Sequence, residues 1–324
     1  MGVDTMKKKV LVTATNYSRL CAGAKALLEK EGFEVIENTF GRPMTFEELK
    51  DKVGDVYGVV AGVDTWNEDV FKLAPNLKVI GRFGIGVDNI DLEAAKKYGI
   101  KVMNARAINS DSVAECTVGL ILAVLRNLVN LDKSTRAGKW ERYVGYTIRG
   151  KKIGLVGFGA IAQYTAKILG AFETEIFAYD VYPNHAAAKK LGVTMTDLDT
   201  IIKQSDIITL HVPCTPETTK LFSKKEFEMM KASAVIINVA RGPVIDENAL
   251  YDALKTHKIA GAGIDVYEVE PAAAANPLFE LDNVVCLPHS AAETYETYEA
   301  VGMATAQAIL DVMNGRDPIN WLNK

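Results

Sequence analysis

Three side chains in the second half of the sequence have the chemistry to move a proton beside an anionic substrate. Arg241 stands in INVARGPVID, Glu270 in GIDVYEVEP and His289 in VVCLPHSAAE. Each follows an apolar, strand-like run, at 235–240, 262–266 and 284–287. In open α/β sheets, ligands bind beyond the carboxyl ends of strands. A guanidinium there can hold a carboxylate and polarise a carbonyl. An imidazole can protonate a carbonyl oxygen, or remove a hydroxyl proton in reverse. A neighbouring carboxylate orients the ring and favours its charged form. Each residue also has a plain structural alternative: an exposed loop charge, a glutamate ending a segment before proline, a satisfied histidine. Spacing alone does not choose between these.

The element that must position them is KKIGLVGFGAIAQYTAKILGAFETEIFAYD, at 151–180. Residues 153–156 read as a buried strand, 162–171 as a helix, and 175–179 as a second strand ending at Asp180. Between them lies G-x-G-x-x-A, with Gly157, Gly159 and Ala162. Gly157 permits a tight turn, and Gly159 lets a pyrophosphate approach the backbone. The following helix offers free N–H groups and a positive dipole end. Asp180 comes about 20 residues later, where a carboxylate accepts from ribose hydroxyls. These features together indicate a dinucleotide site. Asp180 would repel a 2′-phosphate, and Val181-Tyr182-Pro183-Asn184 supplies no arginine to bind one. NAD is therefore expected over NADP. A nicotinamide beside the cation, acid and imidazole would suit interconversion of a small 2-oxo acid and its 2-hydroxy acid.

Strand-like and helical patterns alternate through the whole chain, which implies parallel, doubly wound sheets. Strands are expected at 9–12, 33–36, 56–61, 77–83 and 100–104, then at 153–156, 175–179, 207–212, 235–240, 262–266 and 284–287. Thr45 and Glu48 have the spacing of a capping box. One long apolar helix is expected over 113–130. The final helix, about 294–314, is expected to cross back to the first domain. The domain expectation is thus a discontinuous substrate domain, 1–104 with 292–324, and an NAD-binding domain, 105–291, with hinges near Ala105 and Ala291. The 324 residues suffice for two such domains, and 48% hydrophobic residues suffice for their cores. A net charge of −4 gives no sign of a nucleic-acid or anionic-membrane partner. The basic start of the chain is followed by too short an apolar run for a leader, and no run spans a membrane. Cys21, Cys116, Cys214 and Cys286 are scattered without a CxxC, so free, buried thiols in a reducing cytoplasm are expected. No histidine spacing suggests a metal. His185 and His257 read as solvent-facing, and His211 as either a packing residue or a wall of the adenine cleft.

NVARGPVIDENAL, GIDVYEVEP, LPHSAAETYE, GRFGIGVDNIDLEAAKKYGIKVMN, SVAE at 112–115 and HVPCTPETTKLF resemble the signature segments of the D-isomer-specific 2-hydroxyacid dehydrogenases. The resemblance covers nearly the whole chain. It implies a Rossmann-type NAD domain inserted in a flavodoxin-like substrate domain. It places the family's catalytic arginine, glutamate and histidine on Arg241, Glu270 and His289. It places pyrophosphate contacts on Ala160 and Ile161, and the ribose acid on Asp180. Val212 and Pro213 fall on the adenine-side loop, Val239 and Ala240 beside the nicotinamide ribose, and Asp265 on the carboxamide partner. Arg82, Phe83, Gly84 and Gly86 fall on the loop whose backbone N–H groups bind the substrate carboxylate, with Ile85 near the nicotinamide. A homodimer built through the 113–130 helix and the following aromatic loop is also implied.

One departure stands out. Residues 104–109 read NARAIN, with Arg106 and Ala107 where the family often has Pro-Gly. Among family members the sequence most resembles 3-phosphoglycerate dehydrogenases, through GRFGIGVDNIDLEAA and AGKWER. Arg82 then matches a substrate-binding arginine, and Lys139 and Arg142 add charge on the dimer-forming loop. The loop 61–66 carries no basic residue, Asp64 would oppose an anion, and Trp66 would narrow the pocket. Glyoxylate or hydroxypyruvate is therefore the close alternative. With nothing but Asn314 to Lys324 after the final helix, feedback through a C-terminal amino-acid-binding domain is not expected. Glu270 argues against the formate dehydrogenase branch, which pairs its histidine with glutamine. A second class, an NAD(H)-sensing scaffold like the C-terminal-binding corepressors, would keep the same three residues; turnover of a 2-oxo acid separates the two.

Overall fold

The computed structural model describes residues 8–324. The start of the chain, read above as no leader, lies outside them for residues 1–7. The chain divides into two compact units, Met1–Asn109 with Glu293–Lys324, and Ser110–Ala292.

The first unit has five strands: β1 (Lys9–Val12), β2 (Glu34–Glu37), β3 (Val56–Ala61), β4 (Val79–Arg82) and β5 (Lys101–Met103). They pair in parallel in the order β2-β1-β3-β4-β5, the flavodoxin-like arrangement. β1, β3 and β4 are almost wholly buried, as strands covered by helices on both faces must be. One covering helix is Tyr295–Met313, from the end of the chain. It buries Ala306, Ile309 and Leu310 among Val10, Val12 and Val79. Two strand glycines make room for it. A Cβ on Gly81 would lie 2.9 Å from Thr305 Cβ, and one on Gly58 would lie 3.1 Å from Ile309 Cγ2. The Thr45–Glu48 capping box forms as expected at the start of Phe46–Lys50.

Two expectations about the 61–66 loop are corrected. Trp66 is fully buried in the core with Leu49, Val70 and Phe71, so it cannot narrow a pocket. Asp64 is also buried and accepts from the Met44 N–H at 2.5 Å. Its carboxyl is pushed upward, chiefly by burial. It ties two loops together rather than facing an incoming anion.

The second unit has seven parallel strands: β6 (Lys152–Val156), β7 (Glu175–Tyr179), β8 (Thr194–Met195), β9 (Ile207–Leu210), β10 (Val235–Asn238), β11 (Gly261–Ile264) and β12 (Val284–Cys286). Their order is β12-β11-β10-β9-β6-β7-β8, so the winding reverses between β6 and β9. That reversal is the switch point where doubly wound sheets bind dinucleotides. The later strands end one or two residues earlier than the sequence suggests. Apolar patterning continues into buried turns there, so it does not mark where the ladder stops.

The single helix expected over 113–130 is two helices, Ser110–Leu125 and Leu128–Arg136, with axes 64° apart. The break falls at Asn127, whose φ of 52° is left-handed; asparagine tolerates that conformation better than most residues. The first helix is a core helix, with Val118, Leu120, Ile121 and Leu125 buried. Among the described residues, no single helix is long and apolar enough to cross a membrane. Cys21 is buried and Cys116 and Cys286 partly so, but Cys214 is exposed on the loop after β9, against expectation.

Candidate active site

The nucleotide half of the site grows from the β6 turn. Gly157 has φ 92°, and a Cβ there would lie 2.8 Å from the His211 carbonyl oxygen. Only glycine meets both conditions. Gly159 is different: a Cβ there would meet no protein atom within 4 Å. The protein does not require glycine at 159, and the open space is what a pyrophosphate would fill. Gly159 caps the eleven-residue helix Ala160–Gly170 without a side-chain hydrogen bond, which leaves N–H groups at Ala160 and Ile161 to serve an anion. Asp180, at the end of β7, accepts from Phe158 N–H at 2.7 Å and Tyr182 N–H at 2.8 Å. An ionised carboxylate has about four acceptor positions, so it can still take ribose hydroxyls. Val212 is half-buried and Pro213 exposed, while Val239 and Ala240 are buried beyond β10. These residues fit an NAD molecule laid across the switch point.

His211, in contrast, packs inward. Its Nε2 lies 3.1 Å from Thr209 Oγ1, and burial pushes its pKa down to about 3. It stays neutral. His185 and His257 are exposed, as read from the sequence.

The chemistry-bearing pair lies beyond β11 and β12. His289 Nδ1 is 2.7 Å from Glu270 Oε2, and Glu270 Oε1 accepts from Tyr267 N–H at 3.0 Å. The Glu270 hydrogen bond holds the imidazole pKa above its ordinary value, against burial, which acts downward. Burial acts upward on Glu270, but the hydrogen bonds from His289 and Tyr267 outweigh it and hold the carboxyl low. His289 has a left-handed φ of 54°. Its N–H donates to Asp265 O at 2.7 Å, and the Asp265 carboxylate accepts from Ser290 N–H at 2.7 Å and Ala291 N–H at 3.0 Å. Asp265 therefore builds the turn that presents the imidazole, a part not visible in the sequence. With Nδ1 engaged and the side chain 52% exposed, Nε2 is the nitrogen left for a substrate.

Arg241 follows β10, with its charge felt by both Glu270 and His289. Its Nη1 donates to Ala240 O at 2.6 Å. Buried Asn238 shapes this turn, accepting from Ala240 N–H and donating to Arg241 O, each at 3.0 Å. Gly242 comes next, so close to the β11 exit that a Cβ would lie 1.9 Å from the Tyr267 carbonyl carbon. Sequence reading missed Asn238 and Gly242; the invariant geometry they enforce shows only once both strand ends are in place.

In the first unit, Arg82 to Gly86 follow β4, and all five are half-buried. Arg82 Nη1 donates to Phe83 O, and a Cβ on Gly84 would lie 2.6 Å from that same Nη1. The expectation for this loop narrows. Phe83 N–H is taken by Ala61 O at 2.8 Å and Gly84 N–H by Arg82 O at 2.9 Å. The Phe83 ring packs against Tyr17 and Tyr298. The Ile85 and Gly86 N–H groups have no hydrogen-bond acceptor among the described residues.

A doubly wound sheet with a glycine turn, an acid at the second strand end and an aspartate-supported histidine defines a nicotinamide-nucleotide oxidoreductase class. Residues 118–291 match the profile of D-isomer specific 2-hydroxyacid dehydrogenase, NAD binding domain. D-3-phosphoglycerate dehydrogenase of Archaeoglobus fulgidus is 42% identical over 299 residues, 91% of this chain and 56% of that protein. Glyoxylate reductase of Thermofilum pendens is 40% identical over 90% of this chain and 88% of that one. The apo-structure of D-lactate dehydrogenase from Escherichia coli superposes with a TM-score of 0.87, at 32% identity, over 97% of this chain and 99% of that one. The chain belongs to the D-isomer specific 2-hydroxyacid dehydrogenase family, and its second unit carries that family's NAD-binding domain. It spans about half the length of the phosphoglycerate dehydrogenases it matches.

Proposed function

We propose that the protein is an NAD-dependent dehydrogenase that interconverts a small 2-oxo acid and its D-2-hydroxy acid. The observation that carries this reading is the Glu270–His289 hydrogen bond beyond the carboxyl ends of β11 and β12, in the same sheet whose β6 end carries the nucleotide turn. NAD(H), held by the glycine turn and Asp180, would supply the hydride in reduction and accept it in oxidation. His289 Nε2 gives its proton to the carbonyl oxygen in reduction and takes the hydroxyl proton in oxidation. Glu270 keeps Nδ1 bonded and the imidazolium stabilised. Arg241 pairs with the carboxylate and polarises the carbonyl. We also assign the Ile85 and Gly86 N–H groups to a substrate carboxylate. His289→Ala should lower kcat by about 10²–10⁴-fold while NADH binding is retained.

Within this class, 3-phosphoglycerate is the substrate we favour. Asp64 is turned inward onto the Met44 N–H rather than into open solvent, and Arg82, whose charge Asp64 feels, supplies the loop's guanidinium. A second reading, glyoxylate or hydroxypyruvate, is supported by the 61–66 loop, where exposed Val63 and Thr65 carry no charge. The test is an NADH oxidation screen comparing kcat/KM for 3-phosphohydroxypyruvate, hydroxypyruvate and glyoxylate. Preference for an unphosphorylated acid selects the second reading, and no turnover of any 2-oxo acid selects a nucleotide-sensing scaffold.

The partner we propose is a second copy of the chain. Residues 137–147 form an arm without regular structure, on which Trp140 is 86% and Val144 100% exposed, and Tyr143 and Tyr146 are also exposed. An arm this apolar in water is what a homodimer would cover. Light scattering should give twice the 35.3 kDa chain mass; a monomer at micromolar concentration would refute it. We place the enzyme in the cytoplasm, where an exposed thiol such as Cys214 stays reduced.

A further inference from the structure

The loop that offers Ile85 and Gly86 N–H groups is held from behind. Asn104 Nδ2 donates to Ile85 O at 2.7 Å, and Ala105 N–H donates to Gly84 O at 2.8 Å. In a planar trans peptide the carbonyl and the next N–H point in opposite directions. Gly84 O shares its peptide with the Ile85 N–H, and Ile85 O shares its peptide with the Gly86 N–H. Fixing these two carbonyls therefore fixes the direction of the two N–H groups. Neither N–H has a hydrogen-bond acceptor among the described residues.

Asn104 is itself braced by the end of the chain. Asn320 Nδ2 donates to Asn104 O at 3.2 Å and to Arg106 O at 3.1 Å. Asn104 Oδ1 accepts from Arg106 N–H at 3.2 Å. The tail around Asn320 is anchored along β5. Trp321 bridges Met103, Leu322 N–H donates to Val102 O at 2.9 Å, and Asn323 Oδ1 accepts from Val102 N–H at 2.9 Å. Asn320 has a left-handed φ of 53°, which aims its amide at the two carbonyls and which glycine could adopt without strain.

We infer that Asn104, braced by Asn320 from the C-terminal tail, is a positioning residue that aims the Ile85 and Gly86 N–H groups at the substrate carboxylate. The inference rests on the carboxylate-binding reading of that loop. It gives the tail a role in substrate affinity: tail and loop are two ends of one hydrogen-bonded chain. Neither asparagine needs to touch the substrate.

The test uses the full-length protein, Asn104→Ala and Asn320→Gly, with oxamate as a carboxylate probe of the NADH complex. Asn104→Ala should raise the oxamate Kd and the KM of the 2-oxo acid about tenfold, the worth of an ordinary hydrogen bond, with kcat within about twofold. Asn320→Gly, which keeps the backbone conformation, should raise both by a smaller factor in the same direction. NADH affinity, read by fluorescence, should not move in either variant, which a general loss of folding would not allow. If wild type binds oxamate and both variants bind it equally well, the positioning role is overturned alone. If wild type itself binds no oxamate in its NADH complex, the reading of the loop falls and the inference with it.

Discussion

Glu270 Oε2 and His289 Nδ1 meet at 2.7 Å across 19 residues of sequence, and this one contact sets the direction of the pH dependence. The Glu270 hydrogen bond is the largest cause holding the imidazole pKa above 6.5. In the proposed mechanism reduction uses the imidazolium, so its rate should fall as pH rises through that raised value. Glu270→Gln removes the charge that raises it. The descending limb of kcat/KM for the 2-oxo acid should then move to lower pH. In oxidation, which needs the neutral ring, the ascending limb should move the same way. Profiles of wild type and variant that overlay in both directions would remove Glu270 from this role.

Asp180 carries the second prediction. Two backbone N–H groups already hold its carboxylate at the end of β7, and exposed Val181 and Tyr182 follow it without a cation. A 2′-phosphate would meet a fixed negative charge and no guanidinium. kcat/KM should favour NADH over NADPH, and Asp180→Ala should narrow the ratio from both sides. The loss of the two hydrogen bonds should also loosen the glycine turn, so NADH affinity itself should fall. Equal use of the two cofactors by wild type would contradict the assignment.

The nucleotide half was the most legible part of the sequence, because its constraints are local. The glycine turn, the helix start and the acid all lie within one βαβ unit, and each residue type reports its own backbone geometry. The first unit's parallel, doubly wound sheet was legible from alternation, and the return of helix Tyr295–Met313 from its position after the last strand, while the flavodoxin-like order came only through the family resemblance. Other features depend on segments far apart in sequence. Asp64 looked like a pocket charge because nothing local shows that Met44 N–H will sit over it. Trp66 looked like a pocket wall for the same reason. Asp265 was recognised by resemblance, but its grip on Ser290 and Ala291 needs β11 and β12 side by side. The two-residue β8 is too short to show a period. The break at Asn127 did leave a signal, an Arg-Asn pair inside an apolar run, but arginine is a good helix former and a single asparagine need not end a helix.

Gly242 yields a prediction about stability that also reports on the site. A Cβ there would overlap the Tyr267 backbone at 1.9 Å and crowd Glu268 N at 2.5 Å. Backbone cannot swing aside as a side chain can. Gly242→Ala should destabilise the protein by about 1–3 kcal/mol or more, the range for forced overpacking. The strain falls between Arg241 and Glu270, so kcat/KM should drop in whatever fraction remains folded. A urea midpoint and activity equal to wild type would show that the two strand exits are not packed as described.

Ala107 offers the opposite case, a position where the sequence departs from the family pattern while its own backbone is left-handed, as glycine prefers. Ile108 N–H donates to Ala105 O at 3.0 Å, closing a turn with Arg106 and Ala107 at its centre. Ala107 has φ 68°. This is the third position of a turn, where a type II geometry asks for glycine. An L-residue held there costs about 1–2 kcal/mol, and the added freedom of glycine in the unfolded chain gives back about 0.4–1 kcal/mol of that. Ala107→Gly should therefore stabilise the protein by roughly 0.5–1 kcal/mol. Arg106→Pro, which restores the other half of the family's pair, should not help equally. It removes the N–H that donates to Asn104 Oδ1 at 3.2 Å and so loosens the brace behind the substrate loop. Urea midpoints of the two single variants should rise for glycine and stay level or fall for proline, with the proline variant alone showing a raised KM. A lower midpoint for Ala107→Gly would mean that the left-handed turn carries no strain.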